Sequence, residues 1–285
     1  MNRTSRPLVA CSSVEIHRAR TVDDLISPVA VDDVFTAREQ RFARAGRGFE
    51  SWAGRLAAKR AVASVLERTV DGTRLVDIEI VPSHVHCPTK GACSRGHPPD
   101  VVLHGRTGIR HPSGSVVTIS HAPELAIAVA TTGMPIGVDV IELARARNWI
   151  GSEVASRRLF SERELAWCGE SIERRVAALA LKECSIKIVG RRPPKMSWRD
   201  ATVTPSRPHG PADSVATSVA QAAGAQEVHH SLVHLDGRLV RPFGVGHATT
   251  RTEDFRVAGA WCATKGHVVG VAWVALAVSA ARSTS

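Results

Sequence analysis

The sequence predicts an α+β fold of two similar lobes, each a long helix packed on a small antiparallel sheet. Three observations predict this fold: the chain length, an internal repeat, and a pair of apolar strands closing each half. At 285 residues, 44% of them hydrophobic, the chain can form a core in each lobe. The repeat places the boundary near Gly133, which gives an N-terminal lobe of residues 1–133 and a C-terminal lobe of residues 134–285.

Each copy of the repeat opens with a predicted strand. Residues 13–17 read SVEIH and residues 136–140 read IGVDV. Alternation of apolar and polar residues is typical of a half-buried strand. We therefore expect each lobe to begin with a strand that carries one central carboxylate, Glu15 in the first and Asp139 in the second.

Two helix starts and two long helices follow in the same order. Residues 35–39 (FTARE) and 160–164 (FSERE) have a hydroxyl residue followed three positions later by Glu, the spacing of a capping box. Residues 55–62 (RLAAKRAV) and 178–187 (ALALKECSIK) are rich in strong helix formers. The sequence therefore predicts a short helix and then a long helix in each lobe.

Apolar antiparallel strands are predicted to close both lobes, at residues 116–120 with 125–131 and at 255–263 with 267–276. The uncharged stretch 268–281 is shorter than the roughly 20 residues that a membrane helix needs, so we expect a buried strand and no membrane partner. Residues 205–224, rich in Pro, Ser, Ala and Gly, predict a loop or insertion, or alternatively a flap that contacts a carrier.

Composition narrows the class of partner. The chain has 37 basic and 27 acidic residues, a net charge of +10, which indicates an anionic partner. Aromatic residues are only 4%, with no Tyr, and the arginines are dispersed, which argues against nucleic acid. The six cysteines lack paired C-x-x-C spacing, and we find no secretion signal, so we expect reduced thiols and a cytoplasmic location.

The two copies differ where chemistry is expected. Glu183 follows the lysine of the second long helix, whereas Arg60 follows the lysine of the first, which implies one site per chain. Asp139 and Glu183 would supply two hard oxygen ligands, which suit Mg²⁺ or Mn²⁺ completed by water and phosphate oxygens. Lys187 lies four residues beyond Glu183 and can reach an anion bound there. The alternative is a solvated ion pair between Glu183 and Lys187, with Asp139 as a turn residue.

Three motifs in this order resemble the 4'-phosphopantetheinyl transferase superfamily, whose marks are G-[IV]-D, F-[ST]-x-x-E and W-x-x-K-E-x-x-x-K. They stand here as Gly137-Val138-Asp139, residues 160–164 and residues 179–187 (LALKECSIK), and Ile119-Ser120-His121 resembles the family's serine-histidine signature. The resemblance covers about residues 35–187. Length and duplication favour the longer, Sfp-like pseudodimers over the short trimeric synthases, so the resemblance implies a monomer with one active site between the lobes.

This resemblance implies transfer of the 4'-phosphopantetheine group of coenzyme A to a serine of an apo acyl or peptidyl carrier protein, with release of 3',5'-ADP. The carrier could belong to fatty acid, polyketide or nonribosomal peptide synthesis. Asp139 and Glu183 would hold the metal against the pyrophosphate, and Lys187 would contact the phosphates. His121 would meet the 3'-phosphate, and Ser120 would be a further contact to coenzyme A. Either Glu183 or a metal-bound water would take the serine proton.

Other placements by resemblance are Arg55 and Lys59 for further phosphate contact and His97, in a G-x-P-like loop, on the adenine side. The chain departs from the family at Ile141, where many Sfp-like enzymes have another carboxylate, and Glu142 is the candidate replacement. Leu179 replaces the usual aromatic of the helix motif. Five neighbouring residues offer the ligand types of a structural zinc site, the alternative being a loop with scattered His and Cys: His84, His86, Cys87, Cys93 and His97.

Two alternatives come from other functional classes. A degenerate family member would bind coenzyme A or a carrier without transferring anything, although Asp139, Glu183 and Lys187 are all present. A basic nucleic-acid-binding protein would also show this net charge. Stabilisation by coenzyme A without turnover would indicate the first alternative, and salt-sensitive RNA binding the second.

Overall fold

The computed structural model describes residues 8–16, 19–45, 48–66, 74–81, 99–104, 110–112, 115–189, 197–207, 213–235, 255–264 and 266–276. This part of the chain consists of helices and antiparallel sheets, in agreement with the predicted α+β class. The predicted contact His97 and the rest of the His/Cys cluster at 84–97 lie outside the described residues. Within the described ranges, no helix is long and apolar enough to cross a membrane.

Elements of the first half end at residue 132. Its strands are β1 (Val9–Glu15), β2 (Ile78–Val81), β3 (Asp100–His104), β4 (Arg110–Pro112), β5 (Ser115–Ala122) and β6 (Leu125–Thr132). Its α-helices are α1 (Val22–Ile26), α2 (Val31–Val34), α3 (Ala37–Ala45) and α4 (Phe49–Leu66). The strands form two antiparallel sheets, in the orders β1-β6-β5 and β2-β3-β4.

Elements of the second half follow a similar order. Its strands are β7 (Ile136–Glu142), β8 (Ala201–Pro205), β9 (His229–Leu235), β10 (Phe255–Thr264) and β11 (His267–Leu276). Its α-helices are α5 (Leu143–Ile150), α6 (Glu153–Leu159), α7 (Glu162–Cys168), α8 (Ile172–Val189) and α9 (Asp213–Ala223). One antiparallel sheet, in the order β7-β11-β10-β9-β8, contains all five strands.

The predicted hairpins are confirmed. In β5 and β6 the pairing runs from Ser115 opposite Thr132 to Ala122 opposite Leu125. In β10 and β11 it runs over residues 255–264 and 267–276. Helix α4 packs on β1, β5 and β6, and helix α8 packs on β7, β10 and β11.

The first strand differs from its prediction in its bounds and in the place of its carboxylate. It runs from Val9 to Glu15, because Ala10 and Val14 are the residues that enter the core. Glu15 pairs with Leu125, the first residue of β6. In the second half, the residue that pairs with the first residue of β11, His267, is Glu142. Glu15 is therefore the last residue of its strand, and the prediction that it is a central carboxylate is wrong, whereas Asp139 is central in β7.

A buried ion pair joins the short helix to the long helix in the first half. Thr36 and Glu39 form the predicted capping box, in which each side chain accepts a hydrogen bond from the other's backbone N–H. Glu39 also binds the ammonium of Lys59 at 2.7 Å and accepts from the Ile80 N–H at 2.8 Å. Both side chains are fully buried, so α3, α4 and β2 meet at one charge pair.

The second half contains the same arrangement with different residues. Ser161 and Glu164 form the capping box of α7. Glu164 binds the Lys182 ammonium at 2.9 Å and accepts from the Val203 N–H at 2.8 Å. These two side chains are also fully buried. Each half therefore fixes its long helix through a Glu–Lys pair and the first strand after that helix.

Helix α9 contradicts the loop predicted for residues 205–224. Val215 and Val219, four residues apart, are buried on one face of this helix, which packs on β1, β10 and β11. Ser13 on β1 donates a hydrogen bond to the carbonyl of Ala222 at 2.5 Å. The alanines of this segment, which with Pro, Ser and Gly led to the loop prediction, are also strong helix formers, and this explains the helix.

Strands β5 and β7 lie side by side without being members of one sheet. Two hydroxyls of β5 accept hydrogen bonds from β7, Thr118 from the Val138 N–H at 3.4 Å and Ser120 from the Val140 N–H at 3.1 Å. An apolar cluster nearby combines residues of β6, β7 and β11, including Ile127. This contact brings residues of the first half beside the start of the second.

Candidate functional site

Asp139 lies where β7 passes closest to helix α8. A Cβ atom at Gly137, two residues earlier, would lie only 2.1 Å from the carbonyl oxygen of Cys184. Only glycine therefore permits this approach of strand and helix backbones. The G-V-D motif consequently combines a close contact at its first residue with a carboxylate at its third, on the same side of the strand.

The carboxylate of Asp139 is held by groups from two other elements. Its Oδ1 accepts hydrogen bonds from Ser120 Oγ at 2.7 Å and from Lys187 Nζ at 2.9 Å. Asp139 is 13% exposed and Lys187 is 20% exposed, so this ion pair is largely shielded from water. The structure thus brings together three of the residues that the sequence singles out.

Lys187 connects α8 to both neighbouring strands. Besides Asp139, its ammonium donates to the carbonyl oxygens of Val138 at 2.6 Å and Ile119 at 3.3 Å. A lysine has three donors, and all three are used by protein acceptors here. Burial acts to lower the pKa of Lys187, but the neighbouring Asp139, with Cys184 and Glu183, holds that pKa above its ordinary value.

Glu183 is half-buried on α8, one residue beyond the fully buried Lys182. The pKa of the Cys184 thiol is raised well above its ordinary value, mainly by burial. The negative charges of Asp139 and Glu183 also raise this pKa, and the positive charge of Lys187 lowers it. Asp139 and Glu183 therefore act on the same buried group. Glu183 thus stands on the helix that β7 approaches, one residue before the Cys184 carbonyl that Gly137 faces.

The donor chemistry at this contact fits a hard divalent cation that keeps water and substrate ligands. No group of three or more His, Cys, Asp or Glu side chains that could hold a metal occurs among the residues the structure describes. Asp139 and Glu183 alone cannot form a complete protein cage, but Mg²⁺ is commonly bound by one or two carboxylates plus water and phosphate. Ile141 packs against the apolar core of the second half, which accounts for the absence of a carboxylate there.

His121 lies at the end of β5, against the first turn of α4. Its Nδ1 is 3.2 Å from Oε2 of Glu50, and both side chains are about one-third exposed, at 34% and 29%. A Cβ at Gly54 would be 3.9 Å from the His121 ring, so the histidine lies over this part of the helix. Glu50 was not singled out by the sequence, because its partner is distant along the chain.

Arg55 and Lys59, both predicted to contact phosphate, have different surroundings on α4. Arg55 donates to Ser51, and its Nε is buried with no hydrogen-bond partner among the described residues. Burial lowers the pKa of Arg55, with Glu39 opposing that effect. Lys59 is fully buried, pairs with Glu39, and donates to the carbonyls of Leu75 and Ile78. Lys59 thus has no exposed surface with which to meet a phosphate, and its predicted role is not supported.

Comparisons with known proteins add little to this geometry. No protein-family model matches the chain, and no curated protein matches it. Among solved structures, 49% of the chain is similar to 99% of Helicobacter pylori holo-acyl-carrier-protein synthase in complex with coenzyme A, with 17% identity and a TM-score of 0.33. Similarity at this level carries no argument about the activity of this chain.

Proposed function

We propose that this chain transfers the 4'-phosphopantetheine group of coenzyme A to a serine of an apo acyl or peptidyl carrier protein. The observation that carries the proposal is the β7–α8 contact, where Gly137 lets Asp139 approach the helix that bears Glu183 and Lys187. Asp139 and Lys187 are in direct contact there, and a second carboxylate, Glu183, lies on the same helix. Together they would suit a phosphate ester that is bound with a divalent cation.

Asp139 and Glu183 would hold Mg²⁺, or Mn²⁺, with water and pyrophosphate oxygens as the other ligands. When bound, the ion would neutralise charge on the pyrophosphate. Lys187 keeps Asp139 oriented, and its longest hydrogen bond, 3.3 Å to the Ile119 carbonyl, is the one that a phosphate oxygen would replace. Arg55, which unlike Lys59 is only partly buried, and His121 are proposed for the 3'-phosphate.

The proposed reaction is a single displacement at phosphorus. The serine oxygen of the carrier forms a bond to the phosphorus next to pantetheine, and the bond from that phosphorus to the bridging oxygen breaks. The leaving 3',5'-ADP takes the electron pair, and Glu183 or water accepts the serine proton. The chain's net charge of +10 would favour both the polyphosphate substrate and an acidic carrier.

We further propose that the halves are two pseudo-equivalent lobes of one monomer, residues 1–133 and 134–285, with the site between them. The matching pairs Glu39–Lys59 and Glu164–Lys182 support this duplication. The contact of β5 with β7 supports a site shared by both halves. The first lobe would contribute coenzyme A contacts and the second the metal and phosphate chemistry.

The test is to incubate the protein with coenzyme A, Mg²⁺ and an apo carrier, and then to measure the carrier mass. Carriers from fatty acid, polyketide and peptide synthesis are tried in parallel, and a reaction containing a chelator serves as the control. We expect one added phosphopantetheine group, and none when the metal is chelated. A rise in melting temperature with coenzyme A, but no added carrier mass, would favour a non-catalytic binding protein. Salt-sensitive RNA binding, with no melting shift by coenzyme A and no added carrier mass, would favour the nucleic-acid alternative.

A further inference from the structure

Ser120 forms a directed hydrogen-bond relay between β7 and the Asp139 carboxylate. Its Oγ accepts from the Val140 N–H at 3.1 Å and donates to Asp139 Oδ1 at 2.7 Å. Because the Val140 N–H can only donate, the hydroxyl hydrogen of Ser120 is left for the carboxylate, which can only accept when ionised. Ser120 is 8% exposed, so little of its surface remains for a ligand.

Thr118 provides an internal comparison two residues earlier on the same face of β5. Its hydroxyl accepts from the Val138 N–H at 3.4 Å, as Ser120 accepts from Val140. Thr118 is 2% exposed. The residue before Val138 on β7, in the place that Asp139 has before Val140, is Gly137, which offers no carboxylate to Thr118. Both hydroxyls therefore join β5 to β7, but only Ser120 also binds Asp139.

Hydrogen bonds to one oxygen leave the other oxygen of a carboxylate available. Among the described residues, Ser120 and Lys187 both bind Oδ1 of Asp139, and Oδ2 receives no hydrogen bond. Two donors on one oxygen, from β5 and from α8, fix the orientation of the carboxylate group. Oδ2 would then be the oxygen left for a cation.

We infer that Ser120 is a positioning residue for Asp139, which it orients toward the metal, and is not itself a contact to coenzyme A. This inference rests on the proposed function, because it assigns Asp139 to a divalent cation. The residue that orients the ligand comes from the first half, and the ligand comes from the second. The metal site would thus depend on the contact of β5 with β7.

The test measures Mn²⁺ binding by electron paramagnetic resonance, with saturating coenzyme A and no carrier, so that no turnover occurs. The variants are Ser120→Ala and the matched control Thr118→Val, which removes the neighbouring hydroxyl and keeps the side-chain shape. We expect Ser120→Ala to weaken Mn²⁺ binding roughly 10- to 100-fold, the usual effect of removing a partner of a metal ligand. Thr118→Val should bind Mn²⁺ like the unaltered protein. If Ser120→Ala does not fold, Ser120→Cys, a near-isosteric and weaker donor, replaces it.

Equal weakening in both variants would overturn the inference, since Ser120 would then act only by joining the strands. Unchanged Mn²⁺ binding in Ser120→Ala would also overturn the inference about Ser120. If that variant still modified the carrier, the proposed function would stand. An unaltered protein that neither binds Mn²⁺ nor modifies any carrier would overturn the proposed function and this inference together.

Discussion

Lys187 on α8 and Asp139 on β7 form an ion pair with an N–O distance of 2.9 Å at the point where the two halves of the chain meet. The same ammonium binds carbonyl oxygens of β5 and β7. One side chain therefore holds together the helix, the second-half strand that bears the carboxylate, and the neighbouring first-half strand.

Replacing Lys187 by Met should reduce both stability and transfer activity. The change removes one of the two donors to Asp139 and a donor to two carbonyl oxygens, and we expect a loss of about 1–3 kcal/mol in the free energy of unfolding. The control is Arg157→Met, which breaks an exposed ion pair with Glu153 and should change stability little. Urea unfolding measures the stability of each variant, and the carrier mass measures its transfer activity. Equal losses of stability in the two variants would contradict the role given to Lys187.

The contribution of Lys187 should persist to high pH. Because its folded-state pKa is raised above the ordinary value of 10.5, the stabilisation is complete below that pH and is lost as the pH rises through the higher folded-state pKa. The difference in unfolding free energy between the unaltered protein and Lys187→Met should therefore be constant from neutral pH to about pH 10 and shrink above it. A difference that vanished near neutral pH would be inconsistent with this pair.

The two buried lysines should behave alike. Lys59→Met and Lys182→Met each leave a fully buried glutamate without its cation, which should cost about 3–5 kcal/mol of unfolding free energy. Denaturant unfolding tests this, and replacing each Glu together with its Lys by apolar residues should recover part of the loss. At a temperature where the protein stays folded, Lys59→Met should not change the KM for coenzyme A. A rise in the KM for coenzyme A in Lys59→Met but not in Lys182→Met would instead support the phosphate contact predicted for Lys59.

Glycine at position 137 should be required for folding of the site. In Gly137→Ala the new Cβ would lie 2.1 Å from the backbone carbonyl oxygen of Cys184, which cannot move aside as a flexible side chain could. We expect a loss of about 3 kcal/mol or more in the free energy of unfolding. Gly133→Ala is the matched control: its φ of +74° carries a strain of roughly 1–2 kcal/mol, but its Cβ would meet nothing within 4 Å. Thermal unfolding should rank Gly137→Ala well below Gly133→Ala, and the reverse order would be incompatible with the packing described.

Local patterns accounted for much of the fold. The capping boxes at Thr36 and Ser161 and both closing hairpins depend on residues close together in sequence, and the structure contains them. Helix α9 was missed because an Ala- and Ser-rich segment has the composition of a loop as well as of a helix. The bounds of β1 were predicted incorrectly because they depend on pairing with β6, more than a hundred residues away.

The candidate site was only partly predictable for the same reason. The motif spacing singled out Asp139 and Lys187, but their direct pairing requires the close approach at Gly137. Lys59 and Lys182 look like surface lysines in sequence, and their burial depends on a glutamate about twenty residues earlier. The bond from Ser120 to Asp139 could not be foreseen, since it requires β5 to lie beside β7.

Transfer by Glu183→Gln, compared with Glu173→Gln on the same helix, tests the central claim most directly. Glu173 is exposed in the first turn of α8, far from the β7 contact, so both variants lose one charge from one helix. The carrier mass after incubation with coenzyme A and Mg²⁺ is the measurement. We predict that Glu173→Gln modifies the carrier like the unaltered protein and that Glu183→Gln leaves it in the apo form. Equal modification by both variants would contradict a metal-dependent phosphopantetheine transfer centred on Asp139 and Glu183.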